Sequence, residues 1–307
     1  MQVLAHTLRF ADGRFRGTPG VIATAVLEGP SGIALVDPGP ASDLPALEAD
    51  LASGGLSLDD LEAVLLTHIH LDHAGATGTL VRRRPACRVY VHERGARHMV
   101  SPEKLIASAT QLYGDQMETL WGEFAAVPQG NLHVLAGGEA LSVVGHDLEV
   151  AYTPGHAQHH VSYLHRASRI AFVGDVGGCR TAQMPAVMPP TPPPDIDVAL
   201  WHGSVARILD WQPSALFLTH FGPVTAVAAH LAELLDRLES MQAVARRLLA
   251  DAGLSDELRE ARFAEEVRRA YRQVMTAADV DRMELAVPLG MCWRGLARAI
   301  RKGSAST

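Results

Sequence analysis

The chain has 307 residues, 48% hydrophobic and 20% charged, with a formal net charge of −7. That composition builds a globular core and excludes a disordered chain, and the acidic balance disfavours a general polyanion binder, whose affinity rests on Lys and Arg neutralising phosphates. No apolar run reaches the roughly 20 residues that cross a bilayer, so no membrane partner is expected. The N-terminus, MQVLAHTLRFADGRF, has no basic stretch followed by an apolar one, so no secretory signal is read and a cytoplasmic location is expected. Cys87, Cys179 and Cys292 are widely spaced, odd in number and without a CxxC, which excludes a disulfide framework and a cysteine zinc site. Histidine is in excess, with 15 copies against 7 Phe and 5 Tyr, and histidine is the commonest metal ligand.

In chain order, VIATAVLEG from Val21 and GIALVD to Asp37 are β-rich runs separated by the turn Gly29-Pro30-Ser31-Gly32, a hairpin. Leu44, Leu47 and Leu51 have helical spacing. LEAVLLT, ending at Thr67, reads as a buried strand, and CRVYVH, ending at His92, as another. Residues from Pro102 to about Gly122 read as a helix, broken beyond it at Pro128-Gln129-Gly130. LEVAYTP, VSYLHR, RIAFVGD and ALFLTH are four more short strands. Between the last two lies MPAVMPPTPPPD from Met184, a proline-rich connector that cannot be regular helix or central strand. From about Ala226 the pattern is helix only, and Ser255 with Glu257 and Leu258 marks the start of a second long helix there. The mixture predicts an α/β layered domain with a helical C-terminal region. The basic stretch Arg294, Arg298, Arg301 and Lys302 is read as a solvated helix end.

The chemistry concentrates at His68-Ile69-His70-Leu71-Asp72-His73, directly after a predicted strand. His68 and His70 can reach one ion from a sharply turning loop, and Asp72 and His73 a second nearby. Imidazole and carboxylate without thiolate suit zinc, iron or manganese in an open site. Three more strand ends carry one such ligand each, next to or near a glycine: His156 in TPGH, Asp175 in GD, and His220 in THFG. Alone, each has the plain reading of a loop cap; together with the first cluster they point to a site with two metal ions.

These segments, with Asp37 in VDPG upstream, resemble the metallo-β-lactamase superfamily from about Val36 to Gly222. The resemblance implies a four-layer αββα sandwich over residues 1–225, with residues 226–307 as a helical appendage. It implies one ion on His68, His70 and His156, a second on Asp72, His73 and His220, and Asp175 bridging both. Asp37 would orient the loop rather than bind metal. The implied cofactors are two divalent ions, zinc first, with iron or manganese also suited. The implied reaction is hydrolysis by a hydroxide shared between the ions, with Asp72 steering or accepting a proton.

Asp175, where true β-lactamases commonly have cysteine, resembles the glyoxalase II, lactonase and phosphodiesterase types. The tyrosine that lactonases often carry soon afterwards is replaced by Gly177-Gly178-Cys179-Arg180. The expected substrate is a small ester-like molecule (thioester, lactone or related). A mononuclear-iron persulfide dioxygenase and a phosphodiesterase or nuclease are the alternatives, and no nucleic-acid partner is expected. Tyr113, Met117 and Trp121 are four apart and either line the substrate pocket as a lid or simply pack. Cys179 faces the pocket or serves as a small buried hydrophobe. His159 and His160 either contact a ligand or face solvent, and Trp201 and His202 are equally open. The C-terminal helices pack on the core or on a second subunit, which leaves a homo-oligomer open.

Overall fold

The structure, a computed structural model, describes residues 1–304. Its first sheet takes seven strands in chain order: β1 (Gln2–Ala5), β2 (Leu8–Asp12), β3 (Ala23–Gly29), β4 (Gly32–Val36), β5 (Leu61–Leu65), β6 (Arg88–His92) and β7 (Leu132–Leu135). Pairing is antiparallel from β1 to β4 and parallel from β4 to β7. The second sheet holds β8 (Ala140–Val143), β9 (His146–Tyr152), β10 (Val161–His165), β11 (Ile170–Phe172), β12 (Ala215–Leu218) and β13 (Gly222–Val224) in the order β13-β12-β11-β10-β9-β8. Only β11 and β12 pair in parallel there. Because β9 and β11 are both antiparallel to β10, the strands β9, β11 and β12 point the same way and end at one edge.

The helices are α1 (Leu44–Ser53), α2 (Leu71–Ala74), α3 (Thr77–Arg83), α4 (Glu93–Val100), α5 (Glu103–Tyr113), α6 (Met117–Trp121), α7 (Val198–Asp210), α8 (Val227–Ala250), α9 (Asp256–Tyr271), α10 (Ala277–Ala286) and α11 (Leu289–Ser304). Strand alternation decides the layers, since successive side chains point to opposite faces. On β4, Ile33 and Leu35 join a core with Leu47, Leu51 and Leu80 of the helices, while Ala34 and Val36 join Leu148, Phe172 and Phe217 between the sheets. On β12, Phe217 points between the sheets, whereas Leu216 and Leu218 pack with Trp201, Leu231 and Phe263 of the second helical layer. The result is helix, sheet, sheet, helix: the expected αββα sandwich with C-terminal helices.

Those C-terminal helices share one core with the second sheet: Leu234 and Leu238 of α8, Phe263 of α9 and Trp293 of α11 are buried in it. Ser255 caps α9, accepting a hydrogen bond from the Leu258 N–H at 3.3 Å. Aromatic edges clamp the two sheets together: Phe10 of β2 meets Phe217 at 5.6 Å and Phe221 at 5.7 Å between centroids. Each such pair contributes about 0.5–1.5 kcal/mol beyond its burial.

The structure departs from the sequence reading in two places. The helix expected from Pro102 to Gly122 is two helices, because Gly114 takes a φ of 53° and breaks the ladder after Tyr113. The short strands β1, β2, β7, β8 and β13 lacked a sequence signal. The proline-rich connector has no helix, as expected; Met188 makes a lone bridge to Cys179. No described helix is long and apolar enough to cross a membrane.

Candidate metal centre

All seven candidate ligands follow the C-terminal ends of strands. His68 and His70 lie in the loop after β5, and Asp72 and His73 on α2, which starts at once. His156 follows β9, Asp175 lies in a single turn after β11, and His220 joins β12 to β13. The common direction of β9, β11 and β12 therefore delivers three of them to one edge, and β5 delivers the other four from the facing sheet. Glycine permits the approach. Gly155 has a φ of 136°, and a Cβ there would stand 2.5 Å from the Trp201 Cα.

Two groups of side chains form: His68, His70, His156 and Asp175, and then Asp72, His73 and His220, the ligand atoms within each lying within 4.8 Å of one another. Asp175 touches both, its Oδ2 being 3.3 Å from His156 Nε2 and its Oδ1 3.2 Å from His73 Nε2. His220 Nε2 lies 3.3 Å from Asp72 Oδ2 and 3.5 Å from Asp175 Oδ1.

The far nitrogen of most rings is pinned by an acceptor, which assigns the tautomer. His156 Nδ1 donates to the Pro190 carbonyl at 2.9 Å, and His220 Nδ1 to the Val21 carbonyl at 2.9 Å. His73 Nδ1 donates to Asp37 Oδ2 at 2.8 Å. Thr67 Oγ1 donates to Asp37 Oδ2 at 2.7 Å, so it accepts from His68 Nδ1 at 3.1 Å. Each of these rings thus turns its Nε2 inward. Two of them, on His68 and His156, stand 3.0 and 2.9 Å from His70 Nδ1, which can satisfy only one by donating a proton. His73 Nε2 and Asp175 Oδ1 are buried without any hydrogen bond. Converging lone pairs and carboxylates of this kind are costly unless a cation sits among them. The donor set fits divalent metal.

The electrostatics agree. Burial, then His73, His70 and His156, push His68 well below the usual imidazole range, and burial followed by His156 pushes His70 down to about 3. Against the burial that opposes it, Asp175, Asp72 and Asp37 hold His73 well above that range, and Asp175 and Asp72 do the same for His220 to a lesser degree. Burial would raise Asp175, but His73, His156 and His220 hold it well below the carboxylate range. The first group repels protons and the second gathers positive charge.

Asp37 is fully buried and touches the site only through others. Besides His73 and Thr67 Oγ1 it accepts from the Thr67 N–H at 2.8 Å and Thr219 Oγ1 at 2.9 Å, tying β5 to β12. His160 is buried, not solvent-facing: its ring stacks 5.1 Å from His68 and its Nδ1 meets Thr153 Oγ1 at 2.9 Å. His159 stands edge-on to His70 at 5.5 Å and lines the cleft above the centre. Trp201 is buried against His156, its Nε1 donating to the Val176 carbonyl at 2.9 Å, while His202 pairs with Glu239 outside. Cys179 is fully buried, with its thiol within 4.8 Å of ligand atoms of Asp175 and His220, and burial, then Asp175 and Asp72, raises its pKa well above the usual value.

The cleft over the centre holds about 600 Å³. Tyr113 and Trp121 line it, their rings 5.1 Å apart. Met117 packs with them on the outer core of the first sheet but does not line the cleft. Sequence reasoning missed Phe15, which stacks on Trp121 at 5.6 Å, and the wall built from Leu285 to Met291. An apolar run in the C-terminal helices was the only available hint, and it reads equally well as core.

A family model described as the metallo-beta-lactamase superfamily matches residues 17–220. The metallo-beta-lactamase fold-containing protein ST1585 of Sulfurisphaera tokodaii is 31% identical over 187 residues, covering 59% of this chain and 69% of that one. A hydroxyacylglutathione hydrolase of Klebsiella pneumoniae is 29% identical over 121 residues, 38% of this chain and 35% of that one. Among solved structures, metallo-beta-lactamase family protein TTHA1429 of Thermus thermophilus superposes with a TM-score of 0.68 at 23% identity, covering 99% and 96%. The archaeal superfamily protein ST1585 from Sulfolobus tokodaii gives 0.60 at 24%, covering 91% and 99%. At these identities the superpositions speak to the fold.

Proposed function

Because the chain belongs to the metallo-beta-lactamase superfamily, we propose that it is a hydrolase using two divalent cations, zinc first, to cleave a small ester-like substrate such as a thioester or lactone. The observation that carries this is the convergence of five imidazole rings and two carboxylates at the cleft floor. His68, His70 and His156 would hold one cation, Asp72, His73 and His220 the other, and Asp175 would reach both through its two oxygens. Such a pair supplies an acidified water and an electrophilic hold on the substrate oxygen. Asp37 keeps His73 and the Thr67 loop in register. Asp72, with its side chain 20% exposed against 6% for Asp175, is the carboxylate that can take or steer a proton from the cleft. The apolar walls exclude water and strengthen these electrostatics. The hydrolysis of thioesters is favoured by the similarity to a hydroxyacylglutathione hydrolase.

Metal analysis with a panel of thioesters, lactones and phosphodiesters tests this. About two equivalents of zinc with turnover of an ester-like substrate are expected. His68→Ala should lose metal and turnover together. A single iron accompanied by oxygen consumption would replace the hydrolase reading with a dioxygenase, and full turnover by His68→Ala at unchanged metal content would remove the ligand assignment.

A further inference from the structure

We propose that the cleft is built for an amphipathic anion, an ester or thioester with an elongated apolar arm and one anionic group at the rim. The word ester rests on the hydrolase reading; the shape and charge do not. One face of α5 lines the cleft through Lys104, Leu105, Ser108, Ala109 and Leu112, spaced three and four apart. At 1.5 Å per residue this face runs about 12 Å. Trp121 of α6, Val287 of the link after α10 and Met291 of α11 continue the apolar lining. A pocket with predominantly apolar walls and few polar groups binds the apolar body of its ligand by burial.

The charges along this lining do not favour a cation. Glu260 is closed by Arg294 through bonds of 3.0 and 3.1 Å, and Glu284 by Arg268 at 2.7 and 2.9 Å. Arg16 and Lys104 also line the cleft, both exposed, and have no acidic partner among the described residues. Above the floor the unpaired acid is Asp195, at the end of the proline-rich connector and within electrostatic reach of Tyr152. Two free cations against one acid, around an apolar slot, fit a ligand with a long apolar arm and a single negative charge.

Calorimetric titration of the metal-loaded protein can use decanesulfonate, an amphipathic anion that cannot be hydrolysed and whose sulfonate is a weak metal ligand. Methanesulfonate tests the arm and decyltrimethylammonium the charge. Decanesulfonate should bind more than a hundredfold tighter than methanesulfonate, since each buried methylene adds roughly a fourfold factor. It should bind about tenfold tighter than decyltrimethylammonium, the scale of two exposed charge contacts. Arg16→Gln with Lys104→Gln should bring the two decyl probes to parity, and Leu112→Asn should weaken both, each variant keeping the wild-type near-ultraviolet circular dichroism. Equal binding of the short and long sulfonates, or a preference for the ammonium probe, overturns the proposal. Because binding is read without turnover, a protein that binds decanesulfonate selectively yet cleaves no ester sinks the hydrolase reading alone, and one that cleaves esters without this selectivity sinks the substrate class alone.

Discussion

Replacing Asp37 by Asn tests how the metal loop is held. The carboxylate is completely buried and accepts four hydrogen bonds, one at Oδ1 from the Thr67 N–H and three at Oδ2 from Thr67, His73 and Thr219. An amide keeps the shape but must turn an NH₂ toward one of these sets of donors. Placed at Oδ1 it faces a backbone N–H that cannot rotate away; placed at Oδ2 it faces the His73 Nδ1–H. Either orientation strips a buried imidazole or a buried amide of a charged acceptor. Breaking one side of a buried charge-assisted arrangement costs about 3–5 kcal/mol. The same change frees the His73 tautomer, which should lower metal affinity about 10–100-fold. Urea denaturation measures the first quantity, and competition with a zinc chelator the second. Wild-type stability together with wild-type zinc affinity in Asp37→Asn would refute the idea that this carboxylate organises the centre.

Asp43 offers a pH test away from the centre: burial, partly offset by Ser42 and reinforced by Asp12, raises its pKa from 3.8 to about 7. The folded state then holds a proton that the unfolded state has released, so stability should fall as pH rises from about 4 to 7, by up to about 4 kcal/mol from this group. Asp43→Asn should flatten that slope, and an unchanged pH profile of unfolding would contradict the assignment. Gly155→Ala should destabilise by about 1–3 kcal/mol or more, since its positive φ and the Trp201 backbone leave no room for a Cβ; thermal denaturation reads this, and a neutral result counts against the packing described beneath His156. A chain ending at residue 225 would uncover Leu216 and Leu218, which Leu231, Leu234 and Leu238 help bury at about 1.5–3 kcal/mol per side chain. It should lose cooperative unfolding, and a sharp wild-type-like transition would show that the C-terminal helices are dispensable.

The sequence by itself determined the strand ends and the ligand types. LEAVLLT, LEVAY, RIAFV and ALFL are dense in β-branched and aliphatic residues, and each closes on a glycine, proline or polar ligand. Local periodicity and ligand chemistry are properties of neighbouring residues, so they can be read without coordinates. For the same reason the hairpin at Gly29 to Gly32, the cap at Ser255 and the proline-rich connector were legible.

The tertiary structure decided what depends on distance through space. That Asp175 turns one oxygen toward His156 and the other toward His73 follows from β11 lying between β10 and β12, which no local pattern encodes. The sequence leaves His160 open between a ligand contact and solvent; just before β10 it is buried and stacked on His68. Of the Tyr113, Met117 and Trp121 stripe, all three pack on the outer core and only the first and last also line the cleft. The cleft's second wall came from α10 and α11, far along the chain. Their apolar faces satisfy the same periodicity whether they cover a sheet or frame a ligand, and only packing distinguishes the two.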